Sequence, residues 1–256
     1  MLESNQEHSK KEFENRTALV TGGSRSIGRA ICCTLGAAGA RVAVNYLSDE
    51  EAAKKTLALV REEGGDGMII RGDVSRSEDA ELLVETVRGE FGSIEFLVNN
   101  AGIVDHLTHD KLTFPVWKRS FAVNVDGPFL MTWAVKDEMI ERGFGRIVNI
   151  SSLAAVIPKI DMMHYATAKA ALIAFTRNCG VALAPFNVRV NSVAPGLTDT
   201  DRTAEADPSM VARLIEETPL RRMAKPGEIA SVVAFLLSER SAYVTGQTIL
   251  AAGGRG

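Results

Sequence analysis

Short apolar runs alternate with helix-forming stretches along almost the whole chain, and this alternation constrains the fold more than any other feature. The apolar runs lie at 16–21, 41–45, 68–72, 94–98, 146–151, 188–193 and 247–250. Each is short and, for the most part, rich in β-branched residues, as a buried strand is. Between them, 29–38, 48–63, 77–91, 114–141, 164–184 and 226–238 read as helices. Strands that alternate with helices imply parallel pairing through helical crossovers. The expected fold is therefore α/β: a doubly wound parallel sheet with helices on both faces, the single-domain Rossmann pattern. We expect it to occupy 14–256, after a flexible polar tail over 1–13. No repeat, linker or low-complexity break divides the chain. Ser48 or Asp49 is the expected cap of the second helix, Ser77 that of the third, and Gly127-Pro128 a kink within 114–141.

The first strand runs into Gly22-Gly-Ser24-Arg25-Ser26-Ile27-Gly28, and a helix follows. Strand, glycine turn and helix in that order suit a phosphate. Glycines let backbone N–H groups approach it, and the helix N-terminus adds positive potential. A plain tight turn has the same composition. The second strand ends in Asn45-Tyr46, with no carboxylate before Asp49. An acid at that point would bind a ribose 2′-hydroxyl and repel a 2′-phosphate. Its absence, with Arg25 nearby, favours NADP(H) over NAD(H); an exposed loop cation is the other reading of Arg25. Asp73-Val74 follows the third strand, at the edge where an adenine ring would lie. Asn99-Asn100-Ala101-Gly102 ends the fourth and suits either a loop brace or a contact with the cofactor ribose. Pro128 cannot donate to the carbonyl of Asn124, four residues back, so a distortion there would aim Asn124 inward. The alternative is a helix Asn bonded to its own backbone.

The chemistry-bearing stretch is 152–169. Tyr165 and Lys169 are four residues apart on an expected helix, so they share a face with Cβ atoms roughly 5–6 Å apart. A phenol titrates near 10 in water, and an adjacent ammonium lowers that value. Ser152, at a strand end, is placed to hydrogen-bond the same substrate oxygen. Together they polarise a carbonyl and supply it with a proton. A Tyr and a Lys at this spacing also occur by chance. The expected substrate wall includes Leu153, Ile160, Met162, Met163, His164 and Leu197. His164 is read as wall or surface rather than as a further acid. The polar run from about 197 to 208 lacks apolar periodicity and fits a mobile lid.

Composition excludes several classes. The chain of 256 residues is 46% hydrophobic, ample for a core, and its net charge of −3 comes without a basic block. Nucleic acid and anionic membrane are not expected partners. No apolar run approaches the roughly 18–20 residues that span a bilayer, and 1–15 lack the apolar centre of a secretory signal. The three cysteines have no metal-type spacing, so no metal is expected. They read as reduced residues of a cytoplasmic protein.

Taken together, these residues resemble the short-chain dehydrogenase/reductases over roughly 14–254. The matching motifs are Thr21 to Gly28, Asp73-Val74, Asn99-Asn-Ala-Gly102, Asn124, Ser152, Tyr165-Ala-Thr-Ala-Lys169 and Pro195-Gly196. Within that family, 91–102, 146–152 and 190–196 are similar to 3-oxoacyl-(acyl-carrier-protein) reductases. The resemblance implies seven parallel strands and NADPH-dependent reduction of a ketone, first of all a 3-oxoacyl thioester and otherwise a small ketone, cyclic alcohol or sugar. A non-catalytic NADP(H)-binding scaffold is the alternative of a different class, against which stands the presence of Ser152, Tyr165 and Lys169 together. It implies Tyr165 as acid and base, Lys169 as holder of the nicotinamide ribose, Ser152 as orienter of the substrate oxygen, and Asn124 as holder of a relay water. Pro195, Gly196, Thr198 and Thr200 would meet the nicotinamide end. A homotetramer packed through 114–141 and 164–184, and possible docking of acyl carrier protein, are implied as well. Three positions depart from the pattern: Ser26 where Gly is usual, Phe186 where a docking Arg is frequent, and Ile249-Leu-Ala-Ala before Gly253-Gly254.

Overall fold

The computed structural model describes residues 11–256, so most of the expected tail lies outside the described residues. The fold starts earlier than expected. Phe13 is 2% exposed, and its ring meets Phe96 edge-on with centroids 5.0 Å apart. An aromatic side chain at the end of a polar run was read as tail, yet burying its large apolar area anchors the segment.

The strands are β1 (Thr17–Val20), β2 (Arg41–Tyr46), β3 (Asp66–Arg71), β4 (Phe96–Asn99), β5 (Gly145–Ile150), β6 (Val188–Pro195) and β7 (Thr248–Ala251). They form one seven-stranded sheet in the order β3-β2-β1-β4-β5-β6-β7, parallel at every pairing. Every residue of β1, β4, β5 and β6 is buried, as a parallel sheet covered on both faces requires. The helices are α1 (Ser26–Ala37), α2 (Glu50–Glu62), α3 (Ser77–Phe91), α4 (Phe114–Phe121), α5 (Gly127–Glu141), α6 (Met163–Leu183), α7 (Asp201–Ala204), α8 (Pro208–Glu216) and α9 (Pro226–Leu237). One core layer joins the sheet to α1, α2 and α9, and the other joins it to α3, α5 and α6. The chain reverses direction across the sheet at β1 and β4, which opens a crevice beyond their C-terminal ends.

Some local expectations needed correction. Ser77 is the first helical residue of α3 rather than its cap; the cap position is Arg76. The stretch 114–141 is broken not by a proline kink but by a π-helical turn at Ala122–Asp126, with Pro128 in the first turn of α5. Proline is tolerated there, because its missing N–H belongs among those a helix start leaves free. The polar run after Thr198 folds into α7 and α8. Thr200 and Asp207 cap them, accepting from the Thr203 and Ser209 amides. These caps are local side-chain bonds that hydrophobic periodicity does not register.

Candidate active site

The glycine turn is assembled by its neighbour across the crevice. Asn100 Nδ2 donates to the carbonyls of Thr21 and Gly22, each at 2.9 Å. In return the Thr21 hydroxyl accepts from the amides of Asn100 and Ala101, each at 3.0 Å. Asn45 Oδ1 accepts from the Gly22 amide at 3.2 Å, and Asn45 Nδ2 donates to the Gly72 carbonyl at 3.1 Å. A Cβ on Gly28 would lie 2.2 Å from the Gly22 carbonyl oxygen, so only glycine lets α1 start this close to β1. The helix has no side-chain cap and no acid in its first turn. Its leading residues, Ser26, Ile27 and Gly28, line the cleft, and the amides of a helix start have no intrahelical partner. That backbone cradle fits the phosphates of a dinucleotide.

The cradle opens into one cleft of about 570 Å³ whose far wall carries Ser152, Tyr165 and Lys169. Two bonds fix α6 against the end of β5. Ser151 Oγ donates to the Lys169 carbonyl at 2.9 Å, and Lys169 Nζ donates to the Ile150 carbonyl at 2.8 Å. A buried chain of amides and hydroxyls runs from Asn99 Nδ2 to Asn149 Oδ1 at 2.8 Å, and from Asn149 Nδ2 to the Thr176 hydroxyl at 2.9 Å. It ties β4 and β5 to the same helix. Ser152 caps a short helical turn, accepting from the Ala154 amide at 3.1 Å.

The electrostatics differ from the simplest expectation. Lys169 is 3% exposed. Burial first, and then the charge of Arg202, push its pKa down to about 7. Burial raises the Tyr165 phenol, and the Ser152 hydroxyl and the Arg202 charge oppose that rise. Lys169 is not among the influences on the phenol; its amine lies 5.8 Å from the ring centroid. The shared helix face is real, but a buried amine bonded to a carbonyl is a weak source of positive charge. Asn124 is fully buried in the π turn. Its Nδ2 donates to the Ile103 and Ser120 carbonyls, each at 2.9 Å, while its Oδ1 has no partner. Both readings of Asn124 therefore hold in part. A Cβ on Gly102 would lie 2.8 Å from that oxygen and 3.3 Å from Lys169 Nζ, so Gly102 keeps the space between them open.

The structure places the other expected residues as follows. Arg25, Ala101, Pro195, Gly196, Thr198 and Thr200 line the cleft, as do Leu153, Met162 and Leu197. Ser24, Asn45, Tyr46, Asp73 and Val74 do not. The Ser24 carbonyl is taken by Arg29 and Thr56, the Asp73 carboxylate by Ser75, and Tyr46 and Val74 are buried. Met163, His164 and Ile160 are corrections. Met163 is 45% exposed, Ile160 points to solvent, and His164 is fully buried with neither ring nitrogen partnered. Adjacent helix residues do not share a face. With Tyr165 on the cleft side, Met163 and His164 turn away, whereas Met162, three residues back, does not. Burial pushes the His164 pKa down, which suits a neutral ring. Ser26 adopts a left-handed backbone, φ 49°, and its hydroxyl accepts from the Asp201 amide at 3.4 Å. Sequence reasoning missed His106, Lys159, Arg202, Met210 and Arg255 in the lining. All stand in loops or short helices, where no hydrophobic periodicity marks which side chain faces the cleft.

Residues 22–255 match the family described as Enoyl-(Acyl carrier protein) reductase. The chain is 36% identical over 240 residues to a 3-oxoacyl-[acyl-carrier-protein] reductase of Synechocystis sp., covering 93% of this chain and 96% of that one. The chain belongs to the short-chain dehydrogenase/reductase family. Other members are equally near. Glucose 1-dehydrogenase 2 of Bacillus subtilis is 33% identical over 248 residues, 95% of this chain and 96% of that one. The crystal structure of an NAD+-bound xylitol dehydrogenase superposes with a TM-score of 0.91 at 35% identity, over 95% of this chain and 100% of the other. The chain is thus an oxidoreductase of alcohol and ketone groups that binds a nicotinamide cofactor. Among the described residues, no cluster of three His, Cys, Asp or Glu side chains is placed to hold a metal, and no helix is long and apolar enough to cross a membrane.

Burial of Lys169 has a measurable consequence. Its folded pKa lies below the unfolded value, so between about 7 and 10.5 the unfolded chain holds the extra proton and stability rises with pH. The penalty is full below that window and gone above it. Lys169→Met is therefore expected to raise Tm of the cofactor-free protein at pH 6, with the gap closing towards pH 10. Thermal unfolding across that pH range checks it.

Proposed function

We propose that the chain reduces a ketone to a secondary alcohol with NADPH, and runs the reverse reaction with NADP+. One observation carries the reading: Ser152, Tyr165 and Lys169 line the same cleft as the backbone cradle of Ser26, Ile27 and Gly28. When bound, the nicotinamide supplies or accepts the hydride. The protein's own side chains handle the oxygen. Tyr165 gives a proton to the carbonyl oxygen in reduction and takes it from the hydroxyl in oxidation, with Ser152 holding that oxygen by a hydrogen bond. Lys169 is the residue placed to hold the nicotinamide ribose. With Asn124 Oδ1 across the gap at Gly102, it would pass a proton through a water to solvent. A ketone, a hydride and one proton then balance one secondary alcohol.

The choice of NADPH rests on the residues at the end of β2 and on Arg25. Asn45 and Tyr46 put no acid there, and Arg25 stands beside it, paired with Asp49. A 2′-phosphate would draw the guanidinium away from Asp49, and the planar fork suits a phosphate.

On substrate, similarity to the Synechocystis reductase supports a 3-oxoacyl thioester, either free or on a carrier protein. A small polar carbonyl compound is the second reading. It is favoured by the polar lining of His106, Lys159 and Arg202 and by Phe186, half-exposed where a docking Arg is frequent. We further propose a homo-oligomer packed through α4, α5 and α6. Phe129 stacks on Trp133 with centroids 4.3 Å apart, and Trp133 is still 45% exposed. Aromatic area left exposed on a helix face suits a protein interface.

Parallel assays of NADPH and NADH oxidation, with acetoacetyl thioester and a panel of plain ketones and sugars, test the reaction. Turnover is expected to be higher with NADPH, and Tyr165→Phe is expected to lower kcat by about 100-fold or more, on the scale of a lost general acid, while NADPH still binds. Equal turnover in Tyr165→Phe overturns the assignment. Light scattering at micromolar protein is expected to show an oligomer, and a monomer would contradict the proposed interface.

A further inference from the structure

The reaction above leaves Arg202 without a role. It stands on α7, is exposed, and is among the residues that line the cleft with Ser152, Tyr165 and Lys169. Among the described residues it takes part in no ion pair. The other arginines of the lining are held, Arg25 by Asp49 and Arg255 by Glu217, and the His106 ring is hydrogen-bonded to Asp161 at 2.8 Å. Lys159 joins the same lining and acts on the already paired Asp161 only from a distance. Asp201 is the one acid among the described lining residues, and it is exposed beside Ser26. Arg202 is also close enough to the reacting groups for its charge to lower the pKa of both Tyr165 and Lys169.

The Arg202 guanidinium thus stands at the cleft hydrated, with no protein anion paired to it among the described residues. An apolar acyl chain would desolvate it without return. A carboxylate would pair with it by two parallel hydrogen bonds, and Lys159 would strengthen the field that draws an anion in.

We infer that Arg202 is a specificity residue that binds a carboxylate of the substrate, so that the cleft takes a small oxo acid and its hydroxy acid. The inference deepens the second substrate reading and rests on carbonyl reduction at Tyr165. The ketone oxygen meets Tyr165 and Ser152 while the acid group meets Arg202. The substrate is thereby held at both ends, and its carbonyl is fixed in one orientation.

The test pairs 3-oxobutanoate with its neutral ethyl ester, assayed with NADPH in the full-length protein and in Arg202→Met and Arg202→Lys. Wild type is expected to prefer the acid. In Arg202→Met the acid-to-ester ratio of kcat/KM is expected to fall by about 10- to 100-fold, the scale of one lost charge-assisted pair, mainly through KM; Arg202→Lys restores part of it. A second readout needs no turnover: 3-hydroxybutanoate is expected to raise Tm of wild type and not of Arg202→Met. Turnover of the ester or the thioester but not the acid overturns the inference and leaves carbonyl reduction standing. So does an unchanged ratio in Arg202→Met, or a loss of NADPH affinity in its place, which would assign Arg202 to the cofactor. If wild type reduces no ketone, carbonyl reduction fails, and the Tm shift still decides the carboxylate site: absence of the shift, or its persistence in Arg202→Met, overturns it.

Discussion

The clasp between Thr21 and Asn100 is the interaction on which the rest of the site depends. It joins the ends of β1 and β4, the adjacent strands where the sheet order reverses. Any doubly wound sheet opens a crevice there, because the helices leaving the two strands go to opposite faces. The crevice becomes a site only when its floor is rigid and its backbone donors point inward. Asn100 braces the floor by satisfying carbonyls of the glycine turn, and the start of α1 itself leaves its leading amides without intrahelical partners. Gly28 permits this through the absence of a side chain.

The reacting wall is fixed by a second set of bonds. α6 carries Tyr165 and Lys169, and Ser151, Ile150 and the chain from Asn99 to Thr176 hold it against β4 and β5. The cost of that precision is a buried amine. Lys169 gives up part of its charge near neutral pH, and Tyr165 rises rather than falls. The positive potential that acts on the phenol comes from Arg202, on a four-residue helix that lines the cleft. If Arg202 holds a substrate carboxylate as proposed, one cation would serve both recognition and acid–base tuning, and the bound carboxylate would moderate its pull on Tyr165.

The layered architecture was legible because strand and helix periodicities are local and because parallel strands are buried on both faces. Ser152, Tyr165 and Lys169 were legible because one short loop and one helical turn bring them together. The π turn at Ala122–Asp126 was not legible. Gly127-Pro128 signals an irregularity, but the register in which the backbone absorbs it depends on packing against α6. Placing Met163 and His164 on the cleft wall failed for a simpler reason: neighbours along a helix point apart. Phe13 was misassigned because its partner, Phe96, lies far along the chain. Arg202 and Lys159 escaped notice because their positions follow from loop conformation, which no periodicity reports.

The central claim is that the turn at Gly22 to Gly28 and the wall at Tyr165 and Lys169 form one dinucleotide site. A titration of NADPH by its nicotinamide fluorescence, in wild type and in Gly28→Ala, tests it most directly. The account requires saturable binding by wild type and its loss in Gly28→Ala with the far-UV circular dichroism of the fold retained, since the new methyl group would stand against the Gly22 carbonyl. Failure of wild type to bind NADPH, or undiminished binding by Gly28→Ala, would contradict it.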